Sequence, residues 1–400
     1  MKLKDLDLKG KRVLIRVDLN VPLNDKFEIT DDTRVRACMP TIKHVLDQGG
    51  SVVLMSHLGR PKNGPENAFS LEHLSAHIED LTGAPVTFAT DCIGERTFAV
   101  TKALQPGMVM LVENLRFHPE EIAGDIKFAE KLAQLGDIYV NDAFGTAHRA
   151  HASTAVIAQF FPNEKCFGLL MEKELESLQK VLADPERPLC AIIGGAKVSS
   201  KISVIESLLP TIDHLIIGGG MAYTFIKAQG GSVGTSLVED ELLETAIMIL
   251  EQAGTEGVSV HLPTDTVVAD KFSNDTNTDL CDIREIPSGW MGLDIGPDTI
   301  EHFRQVLNEC NTIIWNGPMG VFEMSNFETG TKELAMAVCE STENGAFSLV
   351  GGGDSVAAIN KYELQSRVSY VSTGGGAMLE YLEGKTLPGV AAMLDQTGSL

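Results

Sequence analysis

The chain has 400 residues, of which 44% are apolar, and a formal net charge of −23 at pH 7. That length calls for two domains rather than one core, and the apolar share excludes a disordered chain. A balance this acidic argues against nucleic acid or an anionic membrane as partner, because both require clustered Lys and Arg.

Strand-like apolar runs recur along the chain, and each ends in a polar or glycine cluster. In the first half they are Val13–Val17, Val52–Met55, Met108–Val112 and Ile138–Val140. They end in Asp18-Leu19-Asn20, Ser56-His57-Leu58-Gly59-Arg60, Glu113-Asn114-Leu115-Arg116 and Asn141-Asp142. In the second half the runs are Leu189–Ile193, His214–Ile217, Val258–Leu262, Thr312–Trp315, Phe347–Val350 and Val368–Val371. Several of these end in bare glycine: Gly194-Gly195, Gly218-Gly219-Gly220, Gly351-Gly352-Gly353 and Gly374-Gly375-Gly376. Helical periodicity fills the gaps at Val35–Leu46, Leu71–Leu81, Glu172–Leu182, Leu237–Ala253 and Thr331–Cys339.

Strands alternating with helices predict an α/β protein of two doubly wound, parallel-sheet, Rossmann-like domains. The expected division is 1–170 and 171–387, with the boundary at Phe167–Lys173 and the tail of about 388–400 returning to the first domain. Ligands of open parallel sheets collect at the carboxyl ends of strands. There the first half offers Asp, Asn, His and Arg, and the second offers glycine backbone. One domain is therefore expected to bind a charged small molecule and the other a nucleotide.

The seven cysteines are scattered and never spaced Cys-x-x-Cys, which excludes a zinc ribbon and a thioredoxin-like motif. Met1–Asp5 carries no apolar leader and no apolar run reaches membrane-spanning length, so a cytoplasmic location is expected.

Gly194-Gly195-Ala196-Lys197-Val198-Ser199-Ser200-Lys201 follows a strand and opens a helix. Its glycines let backbone N–H groups approach a phosphate, and Lys197 and Lys201 project together if the helix begins early. The same pattern also describes a tight turn with two solvated lysines. Gly351-Gly352-Gly353-Asp354-Ser355 repeats the device. Asp354 is either a helix cap or a Mg²⁺ ligand beside nucleotide phosphates. Neither loop is a Walker A or a Gly-x-Gly-x-x-Gly motif, which removes a dinucleotide-dependent dehydrogenase. On the other side, Arg34, Arg60, Arg116 and Arg149, with His57, Asp18 and Asn20, lie near predicted strand or loop ends. Four guanidinium forks in so acidic a chain suit a phosphorylated carboxylic acid.

Seven segments together resemble the phosphoglycerate kinase family, of bacterial type. They are Arg16–Pro22, Ser56–Pro61, Glu113–Phe117, Asp142–Arg149, Gly194–Lys201, Trp315–Glu323 and Gly351–Ser355, in the family's order and across essentially the whole chain. Leu19 and Ser355 stand where the family often has Phe and Thr. The resemblance implies reversible transfer from 1,3-bisphosphoglycerate to ADP, giving 3-phosphoglycerate and ATP, with Mg²⁺, by a monomer. It implies a phosphoglycerate site of Asp18, Asn20, Arg34, His57, Arg60, Arg116 and Arg149. It implies nucleotide contacts at Gly195, Lys197, Lys201, Gly219, Asn316, Pro318, Gly352, Gly353, Asp354 and Ser355. Gly292-Leu293 would border adenine, Glu323 the ribose, and Asp354 the metal, with Arg34, Lys197 and Gly353 catalytic. Closure about a hinge is expected to bring donor and acceptor together. Two other readings stay open on the residues alone: another small-carboxylate phosphotransferase, and a nucleotide-binding scaffold without activity.

Overall fold

The computed structural model describes residues 2–62 and 64–394. The chain divides into two compact units, one running to Leu175 and resuming at Thr386, the other Glu176–Lys385.

The first unit is built on β1 (Arg12–Val17), β2 (Ser51–Met55), β3 (Val86–Ala89), β4 (Val109–Val112), β5 (Ile138–Asp142) and β6 (Lys165–Phe167). All pair in parallel, in the order β3-β4-β2-β1-β5-β6. The central strands are buried on both faces, which is why they read as continuous Val, Leu and Ile runs rather than as alternation. One face packs Val13, Ile15, Val52, Leu54 and the Thr33–Asp47 helix through Val35, Cys38 and Ile42. The other packs Leu14, Val53, Met110 and Tyr139 against Phe128 and Leu132.

The second unit contributes β7 (Leu189–Ile193), β8 (His214–Ile217), β9 (Ser232–Val233), β10 (Ser259–His261), β11 (Asp265–Ala269), β12 (Thr278–Asp282), β13 (Glu285–Ile286), β14 (Met291–Ile295), β15 (Thr312–Asn316), β16 (Phe347–Val350) and β17 (Tyr370–Val371). Its main sheet is also parallel, in the order β10-β8-β7-β15-β16-β17. Beside it lie an antiparallel sheet, β12-β11-β14, and the short pair β13-β9, neither of which the apolar runs foretell. Among the described residues, no helix is long and apolar enough to cross a membrane.

The division falls inside the helix Leu169–Leu182. Of the tail, Gly389 N donates to Ala147 O at 2.8 Å, Lys165 Nζ to Ala392 O at 3.0 Å, and Met393 joins the first unit's core. Residues 395–400 lie outside the described residues.

At the end of β5, Asp142 Oδ1 accepts from Leu170 N (3.0 Å) and Met171 N (3.1 Å), tying the start of that helix to the sheet. Burial raises this carboxyl to about 6 despite those donors. A carboxyl whose folded pKa lies above its ordinary value contributes its full stability below about pH 4. That contribution is lost as pH rises through about 6. Asp142→Asn keeps the acceptor oxygen and removes the charge. Urea unfolding should therefore show a variant more stable than the parent at pH 7.5, by on the order of 2 kcal/mol. Its slope between pH 4 and 6 should also be flatter, and parallel profiles for the two proteins would refute this account.

Candidate functional site

In the first unit the sequence-predicted polar residues gather at the carboxyl edge of β1, β2 and β4. Asp18, Leu19 and Asn20 leave β1 as a loop pinned by Leu19 N donating to Ser56 Oγ (2.9 Å) and Asn20 N to Asp18 Oδ1 (3.0 Å). Arg34, in the first turn of the following helix, donates through Nη1 to Asn20 O at 2.8 Å and lies 3.5 Å from Asp18 Oδ2. Gly59 N donates to Asn20 Oδ1 (2.8 Å), and Arg116 Nη1 to Gly59 O (2.7 Å). Buried Asn114 fixes this corner by donating to Leu58 O and Phe69 O. Each loop therefore holds its neighbour, and Arg34 and Arg116 are placed by backbone carbonyls. Arg60 and Arg149 are the more exposed members, and Arg34 and Arg116 are half-buried. A hollow of 400 Å³ shares Asn20 and Arg34 with this cluster and is completed by Val21, Pro22 and Asp31.

Behind this surface sits a residue the sequence reading passed over. Arg16 is 1% exposed, inside β1. It donates through Nε to Ser153 Oγ (2.9 Å) and through Nη1 to Val17 O, and its Nη2 is 3.2 Å from His57 Nδ1. Ser153 Oγ in turn donates to buried Glu121 Oε1 (2.6 Å). The available signal was a charge at an inward position of an otherwise apolar strand, which needs buried partners.

Burial, then Arg16, Arg116 and Arg34, push His57 well below its ordinary value, so this imidazole is neutral at physiological pH. His151 falls to about 4 through burial, then Arg16, Arg116 and Arg149. Burial, Arg16 and Arg60 also depress Arg116. Arg16, Arg60 and Arg116 lie close enough to disfavour one another's charge, an arrangement that an anionic ligand would relieve.

In the second unit the ends of β7, β15 and β16 are laced together. Gly194 N donates to Asn316 O (2.9 Å), Asn316 Nδ2 to Gly351 O (2.9 Å), and Gly317 N to Ser355 Oγ (2.6 Å). Gly317 sits at φ +107°, and a Cβ there would lie 2.1 Å from Gly194 O. Gly219, at φ +68°, would likewise collide with the Gly195 backbone. Only glycine allows three strand ends to approach so closely.

The α-helix after β7 begins only at Ile202, so Lys197 and Lys201 flank a 3-10 turn, Val198–Ser200. The early helix start is thus not met, because Glu239 takes Ser199 N and Oγ and holds the turn. Lys197 is exposed. Lys201 is half-buried, donates to Asn316 Oδ1, and has its ammonium form disfavoured by burial and favoured by Asp354. Asp354 lies exposed in the first turn of the helix Gly353–Lys361, whose cap is Gly352, so the carboxylate is not the cap. Asn316 and Ser355 are fully buried, with their side chains engaged in the lacing.

Next to this edge opens a cavity of 440 Å³, within the usual range for small-ligand sites. Gly195, Gly219, Gly292, Leu293, Pro318, Glu323 and Asp354 line it, as do Tyr223, Thr235, Leu237, Phe272 and Met291. Its walls are apolar, with a carboxylate at Glu323 and another at Asp354. Lys197, Lys201, Asn316, Gly352, Gly353 and Ser355 are not part of its lining. Phe272 was missed by sequence reasoning, although an aromatic 62% exposed in a polar loop is the kind of residue a flat ring would cover.

A profile of the family described as phosphoglycerate kinase matches residues 3–385. The chain belongs to the phosphoglycerate kinase family. It is 52% identical to a phosphoglycerate kinase of Porphyromonas gingivalis, over 98% of this chain and all of that one. It is 54% identical to the cytosolic phosphoglycerate kinase 3 of Arabidopsis thaliana, over 98% and 97% of the two chains. A solved phosphoglycerate kinase structure from Coxiella burnetii superposes with a TM-score of 0.88 at 42% identity, covering 98% of each chain.

Membership makes the cavity's tight points informative. A Cβ on Gly292 would lie 2.1 Å from Tyr223 Oη, whose hydroxyl pairs with Thr266 Oγ1. Gly292→Ala must displace that ring, which lines the cavity. A rise of about tenfold in the KM for ADP is expected, with the KM for the acidic substrate unmoved. Equal changes in both constants would mean that the cavity does not hold the nucleotide.

Proposed function

We propose that this chain transfers a phosphoryl group reversibly between 1,3-bisphosphoglycerate and ADP, giving 3-phosphoglycerate and ATP. The observation that carries the reading is the group of arginines at the first unit's carboxyl edge, with Arg34 and Arg116 held there by backbone carbonyls, in a chain of net charge −23. In this reading Asp18, Asn20, Arg34, His57, Arg60, Arg116 and Arg149 take the phosphoglycerate. Arginine forks grip its phosphate and carboxylate, and neutral His57 offers a ring nitrogen without adding charge. The 440 Å³ cavity takes the nucleotide, with Gly292 and Leu293 beside adenine, Glu323 on the ribose hydroxyls, and the Gly195, Gly219 and Gly352–Ser355 turns at the phosphates. Asn316 supports that edge through Lys201 and Gly351.

The chemistry asks little of the protein in covalent terms. An acyl phosphate is already reactive and a nucleotide phosphate oxygen is already a nucleophile, so alignment and charge neutralisation suffice. Arg34 and Lys197 supply fixed positive charge to the oxygens of the transferring group, and Gly353 a backbone N–H at a helix start. Asp354, an exposed carboxylate beside Lys201's field, has the hard oxygen donor that Mg²⁺ prefers and room for phosphate ligands. Asp354 would hold Mg²⁺ there, and the ion would offset nucleotide phosphate charge.

Direct transfer also requires the two ligands to meet, so we infer closure about a hinge. Small-angle scattering should give a smaller radius of gyration with both substrates than with either alone, and an unchanged radius would remove the inference. A monomer acting in the cytoplasm completes the reading, in keeping with the cytosolic name of the Arabidopsis relative.

The test is a coupled assay that follows NADH consumption by glyceraldehyde-3-phosphate dehydrogenase, with 3-phosphoglycerate, ATP and Mg²⁺ supplied. Turnover that vanishes with EDTA and in Arg34→Ala supports the reading. A folded, ATP-binding protein that turns over acetate or carbamate instead would establish another small-carboxylate kinase.

A further inference from the structure

We propose that Asp91, Cys92 and His118 form a binding site for a divalent transition ion of the zinc class, apart from phosphoryl transfer. The first two lie in the loop after β3, and His118 lies just beyond the turn Leu115–Phe117 that follows β4. These strands are neighbours, so parallel pairing brings both loops to one edge of the sheet. One ligand atom from each residue lies within 4.8 Å of both others. His118 Nε2 is 2.8 Å from Asp91 Oδ1.

The donor set fits zinc better than it fits magnesium or calcium. A soft sulfur, an imidazole nitrogen and a carboxylate oxygen are the mixture found in three-ligand zinc sites, where water completes a tetrahedron. In such a site the ligand atoms sit about 3.3–3.7 Å apart, so movements on the order of an ångström complete this one. Charge also closes: thiolate and carboxylate with a neutral imidazole cancel the ion's two positive charges. That matters because Cys92 is fully buried, and a net charge there would be costly. Asp91 and His118 side chains remain 42% and 27% exposed, which leaves the fourth position open to water and an entry path.

The ligands are held from behind. Thr97 Oγ1 donates to Asp91 O (2.8 Å) and Cys92 N to Asp91 Oδ1 (2.7 Å), while the His118 ring packs on Phe128 with centroids 5.2 Å apart. Such outer contacts preset ligand orientation. Binding as a thiolate releases the Cys92 proton to solvent as the ion enters.

Cobalt(II) titrated into the full, EDTA-stripped, reduced protein at pH 7.5 tests this. One equivalent should produce a thiolate-to-cobalt charge-transfer band and be displaced by Zn²⁺. Cys92→Ser should abolish the band, whereas Cys281→Ser, at the half-exposed thiol, should leave it. Asp91→Asn and His118→Gln should each weaken cobalt at least about tenfold, with unchanged phosphoryl-transfer turnover. If Cys92→Ser fails to fold, these two decide. A nitrogen-only site gives no thiolate band, so binding by the chain His214–His261–His302, whose facing ring nitrogens are 3.1 Å apart, is distinguished. No thiolate band, a band that survives Cys92→Ser, or undiminished affinity in both other variants overturns the proposal.

Discussion

Lys197→Ala lowers turnover by about a thousandfold and moves the KM for either substrate by less than about threefold. The expectation rests on where the side chain stands. Lys197 is exposed at the first residue after the Gly194–Ala196 turn and lies outside the cavity lining, so it has little to do with seating the nucleotide. In the proposed function its charge would act only when negative charge moves onto the transferring oxygens, which is what would separate kcat from KM. Lys201→Ala supplies the contrast. Lys201 donates to Asn316 Oδ1, and Asn316 holds Gly351, so its loss loosens the strand ends and should raise the nucleotide KM as well. Steady-state kinetics of both variants decide the matter. A Lys197 variant defective only in KM would make the residue a ground-state ligand.

Arg16→Met destabilises the first unit by about 3–5 kcal/mol, equivalent to a fall in Tm on the order of 10 °C. The methionine fills much of the volume, so the cost is electrostatic. Glu121 is 1% exposed, and burial already raises its pKa against the pull of Arg16 and the Ser153 donors. Without Arg16 that carboxyl rises further. The loss is therefore full above the raised pKa and shrinks in acid, where Glu121 takes a proton in the folded state as it does in the unfolded one. Calorimetry at pH 5 and pH 8 should show the larger deficit at pH 8. The double variant with Glu121→Gln should recover part of it. A deficit independent of pH and of Glu121 would assign Arg16 a packing role alone.

Much of this architecture is legible in the sequence because parallel strands buried on both faces leave uninterrupted apolar runs. Val13–Val17, Leu189–Ile193 and Thr312–Trp315 all prove to be interior strands. The segments that escaped are those such burial does not mark. Val86–Ala89 and Lys165–Phe167 are short edge strands, mostly half-buried, and Thr278–Asp282 is largely exposed and polar. Pairing rather than packing defines them, and pairing leaves little trace in composition. The site divides in the same way. His57 and Arg116 stood out because they follow apolar runs, at the strand ends where a parallel sheet gathers ligands, and Arg34 because it opens the next helix beside them. Arg16 did not, because it lies inside such a run, and Asn316 and Ser355 turn out to hold backbone in place.

The return of the tail to the first unit has a bearing on biosynthesis. Residues 176–385 form the second unit from one continuous stretch, whereas the first is interrupted and closes only with the last segment of chain. Before that segment emerges, the buried Asn141 amide lacks its Gly389 carbonyl partner and the core lacks Met393. On the ribosome, the unit whose translation starts first is therefore the one that finishes folding last, and its nascent form keeps that gap until the segment from Thr386 onward emerges.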